Sequence, residues 1–329
     1  MRRRPGLLSN RARIDMQIRR DTTKLAPTCI AVGVFDGVHL GHQAVLRQAV
    51  AGARVAGLLA AALTFDPHPE QLLRPRQAPR LLTTIPERAA LIAETGIEVL
   101  VIAGFDRDFA SLAPDEFARC VLADQLNARC VVAGEGFRFG GGAAGDVAVL
   151  TELGPRLGFH ASEVKRVTVD GGEVSSTIIR QFIAAGEVER ATTLLGHAYT
   201  IMGAVARGDQ RGRTLGFPTA NLCVEPHKLL PPDGVYAARA RFDDATLPAP
   251  AVVNIGFRPT FAPAGREAQG GCIEAHLIDA DTGELYGRTI TLDFVSRLRE
   301  ERRFPNPETL VEQIRRDIAR ARKVLARDS

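Results

Sequence analysis

Apolar runs separated by amphipathic stretches organise the first half of the chain. Cys29–Phe35, Leu58–Phe65, Val99–Phe105, Arg129–Ala133 and His160–Val167 read as buried strands. Gln43–Val55, Pro86–Thr95, Pro114–Asn127 and Thr177–Ala184 read as helices between or after them. Continuous apolar strands alternating with helices predict a parallel sheet covered on both faces, a Rossmann-like α/β layer. A short helix, Glu187–Leu195, ends at Gly196. Beyond it the pattern changes. Tyr199–Val205, Val235–Phe242, Ala251–Ile255, Cys272–Ile278 and Thr289–Val295 are strand-like, with turn signals such as Pro232-Asp-Gly234 and Asp281-Thr-Gly283. Five or six strands without helices between them predict a small antiparallel β-barrel. Pro307–Leu325 closes the chain as an amphipathic helix with Leu310, Ile314, Ile318 and Val324 near one face.

Composition narrows the class. At 329 residues and 45% hydrophobic content, two packed domains are expected. No apolar stretch reaches the roughly 20 residues that span a bilayer, and no secretory h-region precedes residue 30. Five widely spaced cysteines (Cys29, Cys120, Cys130, Cys223, Cys272), several in predicted strands, read as small core residues of a reducing compartment. A cytoplasmic enzyme without a membrane partner is the expectation. The net charge of +4 belongs to the N-terminus: residues 1–24 hold eight basic side chains against Asp15 and Asp21. That segment is read as a disordered basic tail, with Met16 as a second possible start. No nucleic-acid role is built on it, although a regulatory protein with a nucleic-acid-binding tail is the rival of a different class.

Ligands of parallel sheets bind beyond the carboxyl ends of the strands. Three segments follow strands and should line one crevice: Gly33-Val-Phe-Asp-Gly-Val-His-Leu-Gly-His-Gln43, Thr64-Phe-Asp-Pro-His-Pro69 and Gly134-Glu-Gly-Phe-Arg-Phe-Gly140. In the first, His39 and His42 stand where a strand hands over to a helix, among Gly33, Gly37 and Gly41. A helix N-terminus with imidazoles and close backbone approach suits a polyphosphate. A zinc site would need further Cys or His nearby, and there is none in sequence. The bland alternative is turn chemistry and a histidine cap. Ser175-Ser-Thr-Ile-Ile-Arg180 opens a helix; its hydroxyls either cap that helix or, with Arg180, hold phosphate oxygens.

In the second half, Gly208–Gly216 is a basic, glycine-rich loop, without the Gly-Lys-Ser/Thr of a P-loop. Pro218-Thr-Ala-Asn221 spaces two hard oxygen donors by two residues, so an extended chain points both to one face, suited to Mg²⁺; the alternative is a polar turn. Glu274, inside an apolar run, is a candidate base or a surface carboxylate. His276 shares its face and reads equally as a packed histidine.

In order, Gly33–Gln43, Thr64–Pro69, Gly134–Gly140 and Ser175–Arg180 resemble motifs of the bacterial bifunctional riboflavin kinase/FMN adenylyltransferase (FAD synthetase) family. Gly212–Leu222, Gly234-Val-Tyr-Ala237, Asn254–Phe261, Glu274–Asp279 and Leu285-Tyr-Gly287 resemble its kinase module. The resemblance spans roughly residues 25–320. It implies an adenylyltransferase domain at 25–186, a linker helix at 187–197 and a kinase domain at 198–329. It further implies that the kinase makes FMN from riboflavin and the adenylyltransferase makes FAD from FMN, each using ATP with Mg²⁺. It also implies ATP contacts from Gly33, Phe35, Asp36, His39, Gly41, His42, Ser176, Thr177 and Arg180 in the first site, and from Gly212, Arg213, Gly216 and Thr219 in the second. Flavin contacts fall on Asp66, Pro67, His68 and Phe137, Mg²⁺ on Thr219 and Asn221, and the base that takes the ribityl 5′-hydroxyl proton on Glu274. Where the family usually has Asn or Asp, Gly136 stands, and Gly141-Gly-Ala-Ala144 replaces a loop often basic; an active kinase with a weakened adenylyltransferase is therefore the closest rival. No stable protein partner is implied, and a homo-oligomer is left open.

Overall fold

The computed structural model describes residues 16–21, 23–206, 215–242, 248–256, 272–279 and 285–327. Contacts divide the chain into two units: Met1–Phe35, Gly41–Ala78 and Arg88–Arg166 form the first, and Asp36–Leu40, Pro79–Glu87 and Val167–Ser329 the second.

In the first unit, β1 (Gln17–Arg19), β2 (Thr28–Val32), β3 (Leu59–Asp66), β4 (Val99–Gly104), β5 (Ala128–Gly134) and β6 (His160–Val164) form one parallel sheet in the order β1-β4-β3-β2-β5-β6. The parallel sheet expected from the apolar runs is present. Every residue of β2 is buried, as a central strand covered on both faces requires. Its core joins Ile30, Val32, Leu63, Val101 and Val131 to Phe117, Leu122 and Leu150 from the helices.

Two elements depart from the sequence pattern. β1 lies inside the segment expected to be disordered; its alternation is too short to register, and pairing with Val99–Val101 stabilises it. The Pro114–Asn127 helix is wider than expected: after Pro114–Glu116 it continues as a π-helix over Phe117–Gln125.

In the second unit, β9 (Tyr199–Ala206), β10 (Ala220–Cys223), β11 (Gly234–Phe242), β12 (Ala249–Gly256), β13 (Cys272–Leu277) and β14 (Thr289–Glu300) close an antiparallel barrel in the order β10-β13-β12-β11-β14-β9. A hairpin of β7 (Thr168–Val169) and β8 (Gly172–Glu173) precedes it. Ile201, Leu222, Tyr236, Val253, Ile255, Ile273, Ala275 and Leu292 fill one core with Ile179, Ile183 and Leu195 from the helices Ser176–Ala185 and Val188–Leu195. The alternate residues Val235, Ala237, Val252 and Leu298 face the other way, against Ala321 and Leu325 of the terminal helix Pro307–Arg327. That helix starts as its sequence dictates: Asn306 Oδ1 accepts from Thr309 N at 2.9 Å, and Pro307 follows the cap. No helix among the described residues is long and apolar enough to cross a membrane. Cys29 is buried as expected, whereas Cys223, at the end of β10, is exposed.

Candidate active sites

On the barrel, antiparallel register aligns a row of side chains across five strands. Asn221 of β10 faces Glu274 of β13, Glu274 faces Asn254 of β12, Asn254 faces Val235 of β11, and Val235 faces Arg299 of β14. Their neighbours Ala220, Ala275, Val253 and Tyr236 point into the barrel core, so strand alternation turns this row outward. All five residues line a cavity of about 430 Å³ between the outer wall and the terminal helix, whose Leu310, Ile314 and Asp317 form its other side. Thr219 lines it too. The structure brings Thr219 and Asn221, paired by their spacing in the sequence, together with Glu274 on the outer wall of the barrel.

His276 shares that wall. Its Nδ1 lies 2.9 Å from the Pro218 carbonyl, and its ring meets Phe217 edge-on at 5.6 Å. Half-buried, it lines the same cavity and holds the segment that leads into Thr219. At the far end Arg299 grips the buried Asp317, Nε to Oδ2 at 2.9 Å and Nη2 to Oδ2 at 2.8 Å. Gln313 Nε2 donates to the same carboxylate at 2.7 Å. Glu301 also lines the cavity; burial pushes its carboxyl up, with Asp233 adding to the effect and Arg299 opposing it. Asn254, Arg299 and Asp317 went unread as site residues because only register and the packed helix bring them there. Gly216 has φ 85°; Gly212 and Arg213 lie outside the described residues.

A second polar cluster forms around Asp36, also inside the second unit. Its carboxylate accepts four donors: Leu82 N at 3.0 Å, Thr83 N at 2.9 Å, Thr83 Oγ1 at 3.0 Å and Arg180 Nη2 at 2.6 Å. Buried and held by these groups, Asp36 organises the cluster that also contains Ser176 and Arg180. Gly37, at φ 85°, turns the chain so that its N–H donates to Thr83 Oγ1 at 2.9 Å; a Cβ there would stand 2.8 Å from Leu82. Ser175 caps the next helix through Ile178 N, while Ser176 Oγ donates to the Asp36 carbonyl at 2.9 Å. So Ser175 is the cap and Ser176 is turned toward the cluster. Arg180, one turn on, also donates Nε to the Arg80 carbonyl. Thr177 is exposed at the start of that helix.

His39 is 7% exposed in this cluster. Burial pushes its pKa down to about 4; Asp36 pulls the other way, and Arg180 and His197 reinforce the fall. At neutral pH it is an uncharged imidazole, able to donate one N–H.

In the first unit, β3, β2 and β5 are adjacent and parallel, so the segments after Val32, Asp66 and Gly134 emerge side by side. The expected crevice edge is there. Thr64 Oγ1 donates to the Val34 carbonyl at 2.8 Å and ties two of these segments together. Gly41 and His42 lie in the first turn of the Leu40–Ala56 helix. The His42 ring meets buried Phe35 edge-on at 5.5 Å. A Cβ on Gly33 would lie 2.9 Å from that phenyl ring, so glycine there makes room for Phe35. Asp66 accepts Arg20 Nη2 at 2.9 Å and precedes a cis bond to Pro67, and His68 Nδ1 caps the next helix by accepting from Glu70 N. Phe137 stacks on Phe139 at 5.8 Å and borders an open groove with Gly136, Arg138 and Asp146. Gly136 has φ 81°, the region where Asn and Asp are enriched among other residues. The family's usual side chain and this glycine thus suit one backbone conformation.

Comparison with known proteins assigns a family to each half of the chain. Residues 21–178 match the FAD synthetase family and residues 195–325 the riboflavin kinase family. The chain is 36% identical over 294 residues to the bifunctional riboflavin kinase/FMN adenylyltransferase of Escherichia coli K12, covering 89% of this chain and 91% of that one. It is 38% identical to the Bacillus subtilis protein of that name over 294 residues, 89% and 90% of the two chains. A crystal structure titled macrolide-efflux protein, from Streptococcus pneumoniae, superposes with a TM-score of 0.80 at 29% identity, covering 93% of this chain and 98% of that one.

Proposed function

Because the chain belongs to the bifunctional riboflavin kinase/FMN adenylyltransferase family, we propose that its two ATP reactions divide between the barrel wall and the histidine motif. The enzyme phosphorylates riboflavin to FMN and adenylylates FMN to FAD, with ATP as co-substrate of both.

The observation that carries the kinase assignment is the Asn221–Glu274–Asn254 row in a cavity also lined by Thr219. Riboflavin presents its ribityl chain to this wall. Glu274 accepts the 5′-hydroxyl proton as the oxygen bonds to the γ-phosphorus and ADP leaves. Thr219 and Asn221 supply a hydroxyl and an amide oxygen, hard donors that fit Mg²⁺. Bound there, the ion would offset the charge of the ATP phosphates. The wall between Val235 and Leu310 gives the flavin an apolar surface.

For adenylylation, a phosphate oxygen of FMN bonds to the α-phosphorus of ATP and pyrophosphate leaves. No covalent enzyme intermediate is needed; charge on the reacting phosphates must be met by preplaced donors. His39, His42, Ser176, Thr177 and Arg180 are those donors in this reading, from the 25–186 region. Asp36 positions Arg180 for the task. Asp66, Pro67, His68 and Phe137 border the flavin's path.

The test is a time course with riboflavin, ATP and Mg²⁺, resolving FMN and FAD. FMN rising first and FAD following is expected, and a chelator should stop both. Absence of FMN would overturn the kinase assignment, and absence of FAD from supplied FMN the other.

A further inference from the structure

Lys228 lies in the barrel half, between β10 and β11, with its side chain fully buried. Its Nζ donates to three oxygens: Leu82 O at 2.6 Å, Thr200 O at 2.6 Å and Glu87 Oε2 at 2.7 Å. It also sits 4.5 Å from the centroid of the Tyr199 ring. Glu87 is equally buried; its Oε1 accepts Met202 N at 2.7 Å and its Oε2 accepts Thr84 N at 2.8 Å. Backbone pairing reinforces the junction, since Leu81 N donates to His227 O and Leu229 N to Leu81 O, both at 2.8 Å.

Leu82 is therefore pinned from both sides. Lys228 takes its carbonyl and Asp36 takes its N–H. The following residue, Thr83, gives Asp36 two further donors, and Asp36 in turn holds Arg180. A lysine coded nearly fifty residues after Arg180 thus fixes the strip on which Asp36 is seated. A buried ion pair is weak evidence for stability in itself, because desolvation offsets much of its attraction. A hydrophobic pair would serve packing as well. Such a pair would leave the Leu82 carbonyl without the donor that Lys228 supplies, and that directs attention to what the strip holds.

We infer that Lys228, in the half that phosphorylates riboflavin, is a positioning residue for adenylylation: it holds Leu82 so that Asp36 and Arg180 keep their places. This rests on the assignment of Arg180 and His39 to adenylylation. The kinase wall is built from other residues, none of which touches Lys228 through the contacts above.

Three single variants test it, each assayed for FAD from supplied FMN, for flavin phosphorylation from riboflavin, and for thermal unfolding. Lys228→Met should lower the adenylylation kcat by about tenfold or more, the scale of a small misplacement of catalytic groups. Its KM for FMN and its kinase kcat should stay near those of the parent enzyme. Glu87→Gln breaks the same ion pair yet leaves Lys228 on the Leu82 carbonyl. It should lower the melting temperature but keep most adenylylation. Unchanged adenylylation in Lys228→Met, parallel loss of both activities, or equal loss in Glu87→Gln would overturn the inference. If Lys228→Met does not fold, the neutral pair Glu87→Gln/Lys228→Met carries the same test, because it frees Leu82 without stranding a charge. His39→Ala in the same series separates the two levels: full adenylylation there would sink the site assignment, whatever Lys228 does.

Discussion

Asn221 and Glu274 stand directly opposite one another across β10 and β13, so an amide and a carboxylate share one outward face of the barrel. Glu274→Gln keeps the shape of that face and removes the proposed base. FMN formation should fall by about 10²–10⁴-fold, while FAD formation from supplied FMN is unchanged. Loss of both activities together would contradict separate sites.

His42→Ala should leave phosphorylation intact and stop adenylylation, so FMN accumulates in a riboflavin time course. Phe35, which touches the imidazole edge-on, keeps its place in the buried core. Unaltered FAD output would remove His42 from the mechanism.

His39 predicts a pH dependence of stability. Its pKa falls from 6.5 to about 4 on folding because the site is buried. Between these values the unfolded chain binds the proton and the folded chain does not, so stability declines as pH drops from about 6.5 toward 4. Above 6.5 the residue is neutral in both states and contributes no slope. The full loss is about 3 kcal/mol. Denaturant unfolding from pH 7 to 4 should show it, and His39→Gln should flatten that part of the profile.

Gly136 is left-handed, with the nearest atom to an added Cβ being Arg166 Nη2 at 3.4 Å. Gly136→Asn should fold normally and adenylylate as the parent does. Gly136→Val should lose about 1–2 kcal/mol, the cost of a left-handed backbone for a side-chain-bearing residue. Chemical denaturation distinguishes the two; a destabilised Asn variant would argue for a special need for glycine.

Asp317→Ala leaves Arg299 without its carboxylate partner at the cavity's edge. About 3 kcal/mol of stability should go, the low end for a buried pair because Arg299 is partly solvated. The KM for riboflavin should rise with it, since the terminal helix forms one side of the cavity. A normal KM would show that the helix does not set the flavin's pocket.

How much of this was legible in the sequence depended on range. The strands of the parallel sheet were legible because burial on both faces leaves unbroken apolar runs. Thr219 and Asn221 were legible as a pair because alternation is local. The short strand β10 was not distinguished from a turn, since only four residues form it and its partners are distant. Asp36 reads as a ligand in a motif, and only the fold shows Leu82, Thr83 and Arg180 gathered around it. Lys228 carried no signal at all: a lone lysine before a proline-rich turn looks solvated until Glu87 and two carbonyls are placed around it.

The outward row on the barrel also limits how this enzyme can change length. A one-residue slip of β10 would turn Asn221 inward and expose Ala220 and Leu222. The same slip in β13 would bury Glu274. Deletions and insertions should therefore be excluded from these strands, so that drift in the wall itself proceeds by exchange of side chains alone.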